Sequence, residues 1–345
     1  MHLFDKMMVM SINSFQSKTI LVTGAAGFIG SHLVEALLSQ HATVIGVDNF
    51  LTGTKKNLEA VFKSSFATNF KLIEADVNRS PEDYLNSSIK LDTIFHLASP
   101  ASPVYYQKYP QETYLANSWA THQLLTFLHR YSPTTKFLFA STSEIYGDPL
   151  EHPQKESYWG NVNPNGLRSC YDEAKRLGET ICGVFFRDYG LDTRIVRIFN
   201  TYGPRMDIDD GRVIPNLIKH VLSRQPLPIH GDGLQTRSYC YVTDLVRGLI
   251  MMIESEKTKG ATVNLGNPEE LSIMDTASLL LRLLHKPFDS HRDVQFLKLP
   301  ADDPVRRRPD ISKAKKILGW KPEVKFEDGL LLTLKYFQQE MMRRG

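Results

Sequence analysis

The stretch from residue 18 to residue 50, KTILVTGAAGFIGSHLVEALLSQHATVIGVDNF, narrows the choice of fold more than any other part of the chain. An apolar run ends in Gly24, a turn carries Gly27 and Gly30, a helical pattern opens at once, and a second apolar run ends in Asp48. Two short apolar runs joined by such a helix read as parallel strands with a crossover. Glycine lets the turn close tightly and lets the backbone approach a pyrophosphate, while the helix start offers unpaired N–H groups and a positive dipole end. Turns collect glycine for many reasons, so the triplet alone is a weak signal. Here the context adds a strand before, a helix after and an acid at the end of the next strand. The Asp48 carboxylate suits both hydroxyls of an adenosine ribose and repels a 2′-phosphate, which favours NAD over NADP.

The alternation continues through FKLIEADV, LDTIFHLAS, KFLFASTSEIYG and DTRIVRIFNTYGP, with helical segments between them; YLANSWATHQLLTFLHRY is the clearest of these. Short apolar runs separated by helices predict an α/β fold, a Rossmann-type doubly wound parallel sheet with a smaller α/β substrate-binding lobe. The NAD-binding Rossmann domain is expected at 17–199, with 238–266 returning to it. After Asn200 the texture changes to loops punctuated by glycine and proline, which places the substrate-binding lobe at 200–237 and 267–337. The tail reads as two helices around a Gly-Trp-x-Pro break, residues 1–16 read as a loosely packed or disordered leader, and Trp159 and Trp320 are assigned to packing.

A chain of 345 residues has room for both parts. Its net charge of +3 is too small to make nucleic acid the main partner, and a few basic residues facing a diphosphate would account for it. Cys170, Cys182 and Cys240 are odd in number and lack metal-like spacing, so neither a disulfide framework nor a metal site is expected, which fits a reducing, cytoplasmic compartment. No run approaches the roughly 20 apolar residues needed to span a bilayer.

Strand ends are where this fold puts its ligands. Asn49, Thr52 and Gly53 follow Asp48 near the same ribose, Asp76 and Val77 are a pair suited to framing the adenine, and Leu97, Ala98 and Ser99 close another strand. Phe28 and Ile29 of the glycine turn, together with Phe50, Ala140 and Thr201, complete the expected cofactor contacts. In SCYDEAKR, Tyr171 and Lys175 lie four positions apart and so stack on neighbouring helical turns. A tyrosine acting as a base near neutrality needs its pKa, near 10 in water, lowered by about three pH units, or roughly 4 kcal/mol. A lysine ammonium and a positive nicotinamide ring both act in that direction, and the Thr142 hydroxyl can share the substrate proton.

These residues resemble the extended short-chain dehydrogenases/reductases that act on sugar nucleotides, and among them the UDP-glucuronate decarboxylases, which make UDP-xylose. The resemblance runs from about Lys18 to Phe337 and rests on TGAAGFIGSHL, DNFLTG, HLASPASP, ASTSEIYGDP, CYDEAKR, RIFNTYGPRM, DDGRV, GDGLQTRSYCYV, VNLGNPEE and DDPVRRRPDI. The sequence departs from that pattern at Asn165 and Leu167, where isoleucine and proline are more usual. What the resemblance implies is oxidation of the sugar at carbon 4, loss of carbon dioxide from the resulting β-keto acid, and re-reduction by bound NADH. It implies catalytic roles for Thr142, Glu144, Tyr171, Lys175 and Arg307, with Arg307 meeting the sugar carboxylate. Dehydratases of the same group carry an aspartate where Ser143 stands, and many 4-epimerases have small residues in place of Glu144. Arg212 and Arg237 are placed by motif to meet the diphosphate or ribose, and Asn200 a phosphate or the sugar. Ser102, Pro103 and Tyr106 belong to a loop over the hexose, and Ile229 would pack near uracil through its backbone. The resemblance also implies a homodimer of paired helices. Two alternatives stay open: another NAD-dependent sugar-nucleotide epimerase or 4,6-dehydratase, and a non-catalytic NAD-binding regulatory protein.

Overall fold

The computed structural model describes residues 14–298 and 306–344. The opening segment folds as β1 (Thr19–Thr23), α1 (Phe28–Ser39) and β2 (Thr43–Asp48). The last four residues of β1 are buried, as a strand covered on both faces requires. Five more strands follow: β3 (Phe70–Glu74), β4 (Thr93–His96), β5 (Lys136–Thr142), β6 (Thr193–Ile198) and β7 (Thr262–Leu265). All seven are parallel, in the order β7-β6-β5-β4-β1-β2-β3. Strand order reverses at β1, which pairs with β2 on one side and β4 on the other, so a crevice opens beyond their carboxyl ends.

The other helices of more than four residues are α2 (Pro103–Lys108), α3 (Pro110–Asn117), α4 (Trp119–Tyr131), α5 (Ser169–Tyr189), α6 (Val213–Leu222), α7 (Val242–Glu254), α8 (Ile273–Leu283), α9 (Ser312–Leu318) and α10 (Phe326–Arg344). The helix expected across 114–131 is broken between α3 and α4. There the Ser118 hydroxyl donates to the Tyr114 carbonyl at 2.6 Å, a side-chain bond that competes with the backbone ladder.

Arg194, fully buried on β6, fastens α7 to the sheet. Its Nη1 donates to the carbonyls of Met252, Ile253 and Ser255 at 2.5, 2.9 and 2.8 Å, placing positive charge at the negative end of that helix.

In the second half of the chain Leu227–His230 pairs in parallel with Val294–Leu297, and Thr236–Ser238 pairs antiparallel with Glu270–Ser272. Between α9 and α10, Trp320 is fully buried and its indole N–H donates to the Asp244 carbonyl at 2.9 Å, so its packing role holds. Trp159 does not pack: the residue is 87% exposed, and its carbonyl is anchored by Arg176 Nη1 at 2.6 Å. Most of the expected leader, residues 1–13, lies outside the described residues. Ser14 and Phe15 are held, the first by donating to Gln40 at 2.8 Å and the second by burial in the core. Among the described residues no helix is long and apolar enough to cross a membrane.

Candidate active site

Beyond the ends of β1, β4 and β5 lies one cavity of about 790 Å³ that reaches from the glycine turn to Arg307. Its dinucleotide end is built mostly of backbone. Gly24 has φ +71°, and a Cβ there would meet the Ala98 nitrogen at 2.9 Å. At Gly30 a Cβ would stand 2.0 Å from the Gly24 carbonyl, so the turn closes only with glycine. The helix α1 that follows has no side-chain cap and no acid in its first turn, leaving its first N–H groups to a ligand. Beneath the turn, His96 is pushed down to about 3, chiefly by burial and then by Lys175. The neutral ring donates from Nε2 to the Ala116 carbonyl at 3.0 Å, so Nδ1 accepts from the Thr23 hydroxyl at 2.7 Å.

Asp48 accepts from the Ala26 N–H at 2.8 Å and from the Phe50 N–H at 2.8 Å. Burial raises its pKa, and those two N–H donors oppose the rise. With one bond per oxygen it keeps lone pairs for two hydroxyl donors. Gly27, Phe28 and Ile29 line the cavity with Gly24 and Gly30. So do Asn49, Thr52, Gly53, Asp76 and Val77 along one wall, and Leu97, Ala98, Ser99, Ala140 and Thr201 along another. Glycines that admit no Cβ, an uncapped helix start and a fixed acid fit a dinucleotide. Phe50 is the exception: its backbone turns to φ +57° and its ring lies under the Lys55 ammonium, 4.9 Å away, rather than in the cavity.

At the other end β5 delivers Thr142, and a short 3-10 turn, Ser143–Tyr146, carries Glu144. The first turns of α5 supply Tyr171 and Lys175, as their spacing predicts. Lys175 Nζ donates to the Ala140 carbonyl at 2.6 Å and sits 5.6 Å from the Tyr171 ring centre. Burial lowers its pKa to about 7. The Tyr171 phenol bonds with Thr142 but is not acidified by the protein alone. Burial drives its pKa upward, the Thr142 bond opposes this, and the Glu144 charge adds to the rise. The Tyr106 ring stacks on Tyr171, with centroids 5.1 Å apart and planes 8° off parallel. The hydroxyls of Tyr106 and Ser102 are buried without a protein partner on the cavity wall. Pro103 and Asn200 share that wall.

Glu144 meets two guanidinium groups. Arg307 grips it as a fork, Nη1 on Oε1 and Nη2 on Oε2 at 2.9 Å, and Arg168 also donates to Oε2. Burial works to raise the Glu144 pKa, but the two cations win and hold it below the ordinary carboxylate value. Asp172, one turn along α5, is raised to about 7 by burial and by the Glu144 charge, against the pull of Arg168 and Arg307. Arg307 itself is set by its neighbours: Gln154 accepts from and donates to the Arg308 peptide, and the Ser238 hydroxyl donates to the Arg307 carbonyl at 3.2 Å. Arg212 and Arg237 both line the cavity, the former paired with Asp210. Ile229 does not. Strand alternation turns it into the core, fully buried, and presents His230 to the cavity instead.

Three contributions escape the motifs. Arg168 precedes α5 in a run, NPNGLRS, that reads as loop. His230 follows Ile229 by one position. The third is α10, whose Tyr336, Phe337, Glu340 and Met341 line the dinucleotide end, with Glu340 ion-paired to Lys56. Nothing local in the tail points to a site some 280 positions earlier in the chain.

Residues 20–266 match the NAD dependent epimerase/dehydratase family, and the chain belongs to that family. Its relatives narrow the class. It is 46% identical over 322 residues to UDP-glucuronic acid decarboxylase 2 of Arabidopsis thaliana, covering 93% of this chain and 68% of that one. It is 46% identical over 324 residues to UDP-glucuronic acid decarboxylase 1 of Danio rerio, covering 94% and 73%. Among solved structures it is similar to UDP-glucuronic acid 4-epimerase of Bacillus cereus in complex with UDP-glucuronic acid and NAD. The TM-score is 0.81 at 32% identity, over 93% of this chain and 99% of that one.

Proposed function

We infer that the chain is an NAD-dependent decarboxylase that converts UDP-glucuronate to UDP-xylose. One observation carries the reading beyond the relatives: a guanidinium fork, Arg307, faces the same cavity as a Thr142–Tyr171–Lys175 set. A hexuronate carries its carboxylate on carbon 5, and carbon 5 is one bond from carbon 4. Oxidation at carbon 4 makes a β-keto acid, and carbon dioxide then leaves because the electron pair delocalises into the ketone. Bound NAD supplies the hydride acceptor and later the donor at carbon 4, and its positive ring favours the phenolate.

The remaining work falls to the protein. Tyr171 accepts the carbon-4 hydroxyl proton, with Thr142 sharing it, and Lys175 favours the phenolate and holds the nicotinamide ribose. Arg307 orients the carboxylate but must not bind it best in the ground state, since that would oppose its loss. Glu144 faces carbon 5 and assists protonation there. With Ser143 beside it, the acid that would help expel a carbon-6 hydroxyl is lacking, which separates the site from a 4,6-dehydratase. Gly24, Gly27 and Gly30 take the pyrophosphate of the cofactor and Asp48 its adenosine ribose. Arg212, Arg237 and Asn200 take the UDP phosphates, and Ser102 and Tyr106 donate to the hexose.

The same proposal includes a cytoplasmic homodimer. Tyr114, Trp119, Tyr131, Leu177 and Tyr189 on α3, α4 and α5 are each more than one-third exposed, an apolar surface that a second copy would cover.

Mass spectrometry after incubation with NAD and UDP-glucuronate tests the activity. A product lighter by one carbon dioxide is expected, and Tyr171→Phe should slow its release about a thousandfold while keeping NAD bound. A product of unchanged mass with inverted carbon 4 would make the chain an epimerase. No product at all would leave a binding protein.

A further inference from the structure

The Glu144 cluster holds two guanidiniums on a single carboxylate, and both reach the same oxygen, Oε2. Arg307 spends its whole end-on fork on Glu144, while its Nε is buried without a partner. That fork is shaped to take a carboxylate in two parallel bonds. It can take a second one only if Glu144 yields it, and a buried carboxylate stripped of its cations would be costly. Arg168 removes that cost. Because it already holds Oε2, Glu144 can turn about this oxygen and keep a charge-assisted bond throughout.

We propose that Arg168 is a positioning residue for carboxylate recognition, retaining Glu144 when the sugar carboxylate takes over the Arg307 fork. The proposal rests on the decarboxylase reading above and adds to it how an acidic sugar enters a site already occupied by a protein acid. The backbone favours such a role. The Arg168 carbonyl accepts from the N–H groups of Tyr171 and Asp172 at 2.9 and 3.0 Å, so the residue that holds Glu144 also heads the helix that carries Tyr171. Its guanidinium lines the cavity, and its Nε lies 3.8 Å from Asp172. The cluster thus contains two fixed cations and one fixed anion, with Asp172 poised near neutrality by burial. An arriving carboxylate completes the charge balance where a neutral hexose would not.

The test is calorimetric titration of the NAD-loaded protein with UDP-glucuronate and with UDP-glucose, which lacks the carboxylate. Arg168→Ala should weaken UDP-glucuronate at least about tenfold, because Glu144 then stays on Arg307, and should leave UDP-glucose within about twofold. Arg168→Lys keeps the charge and should restore most of the preference. Adding Glu144→Gln to Arg168→Ala removes the competing anion, so binding of UDP-glucuronate should recover, which loss of local structure would not permit. An unchanged preference in Arg168→Ala, or a double variant as weak as Arg168→Ala alone, overturns the proposal. A wild-type protein with no preference for UDP-glucuronate over UDP-glucose would instead overturn the decarboxylase reading. Unaltered NAD content in each variant shows that the fold is intact.

Discussion

The two ends of the cavity are made of different material. The dinucleotide end comes largely from consecutive residues, where Gly24 to Gly30 and Asp48 sit on one βαβ unit and the groups on offer are backbone N–H. The carboxylate end is assembled from side chains that arrive from three distant places: Glu144 after β5, Arg168 and Asp172 at the start of α5, and Arg307 on the segment bridged to Gln154. The first is rigid and tolerates little change in shape. The second is an overfull charge cluster whose pairing can change without moving the chain. On the proposed reading, recognition of the shared dinucleotide rests on backbone, and recognition of the acid on exchangeable ion pairs.

The contrast breaks most readily at Arg307. Arg307→Ala should cut carbon dioxide release by about a hundredfold or more, the scale seen when one donor to developing charge is lost. Bound NAD should be unaffected, since Arg168 still holds Glu144. Loss of NAD in that variant would mean that the two ends are not separable. Asp48→Asn acts on the other end: NAD affinity should fall about tenfold and discrimination against NADP should shrink, while the UDP-glucuronate to UDP-glucose ratio stays put in titration.

The smallest effect sharpens the charge argument. Asp172 is raised to about 7, so between the ordinary carboxylate value and that pH the folded chain keeps a proton that the unfolded chain has released. Stability therefore falls as pH rises across this window. Asp172→Asn should flatten the fall, by about 2 °C in Tm between pH 5 and pH 7 in thermal melts. A slope identical to wild type would remove Asp172 from the cluster's proton balance.

The same division explains what the sequence revealed. Local pattern carries local geometry, so the glycine turn, the acid ending β2 and the Tyr171–Lys175 helix were readable from spacing alone, and six of the seven strands from alternation. Arg307 was singled out by resemblance for a sugar carboxylate, and its engagement by Glu144 was not legible, because their pairing spans 163 positions. Arg168 was missed since an arginine in a loop looks solvated until the fold closes over it. The Tyr171 phenol makes a different point: the neighbouring lysine suggested acidification, yet burial of both groups dominates in the protein itself. The Phe50 ring and the Ile229 side chain point away from the cavity, directed by a left-handed turn and by strand alternation that the motifs did not signal.

Helix α10 sets a timetable for synthesis. Tyr336, Phe337, Glu340 and Met341 finish a wall whose other residues emerge with Gly24 and Asp48, and Glu340 pairs there with Lys56. A chain emerging in order can therefore shape the glycine turn early, but this wall of the cavity is complete only once α10 has docked.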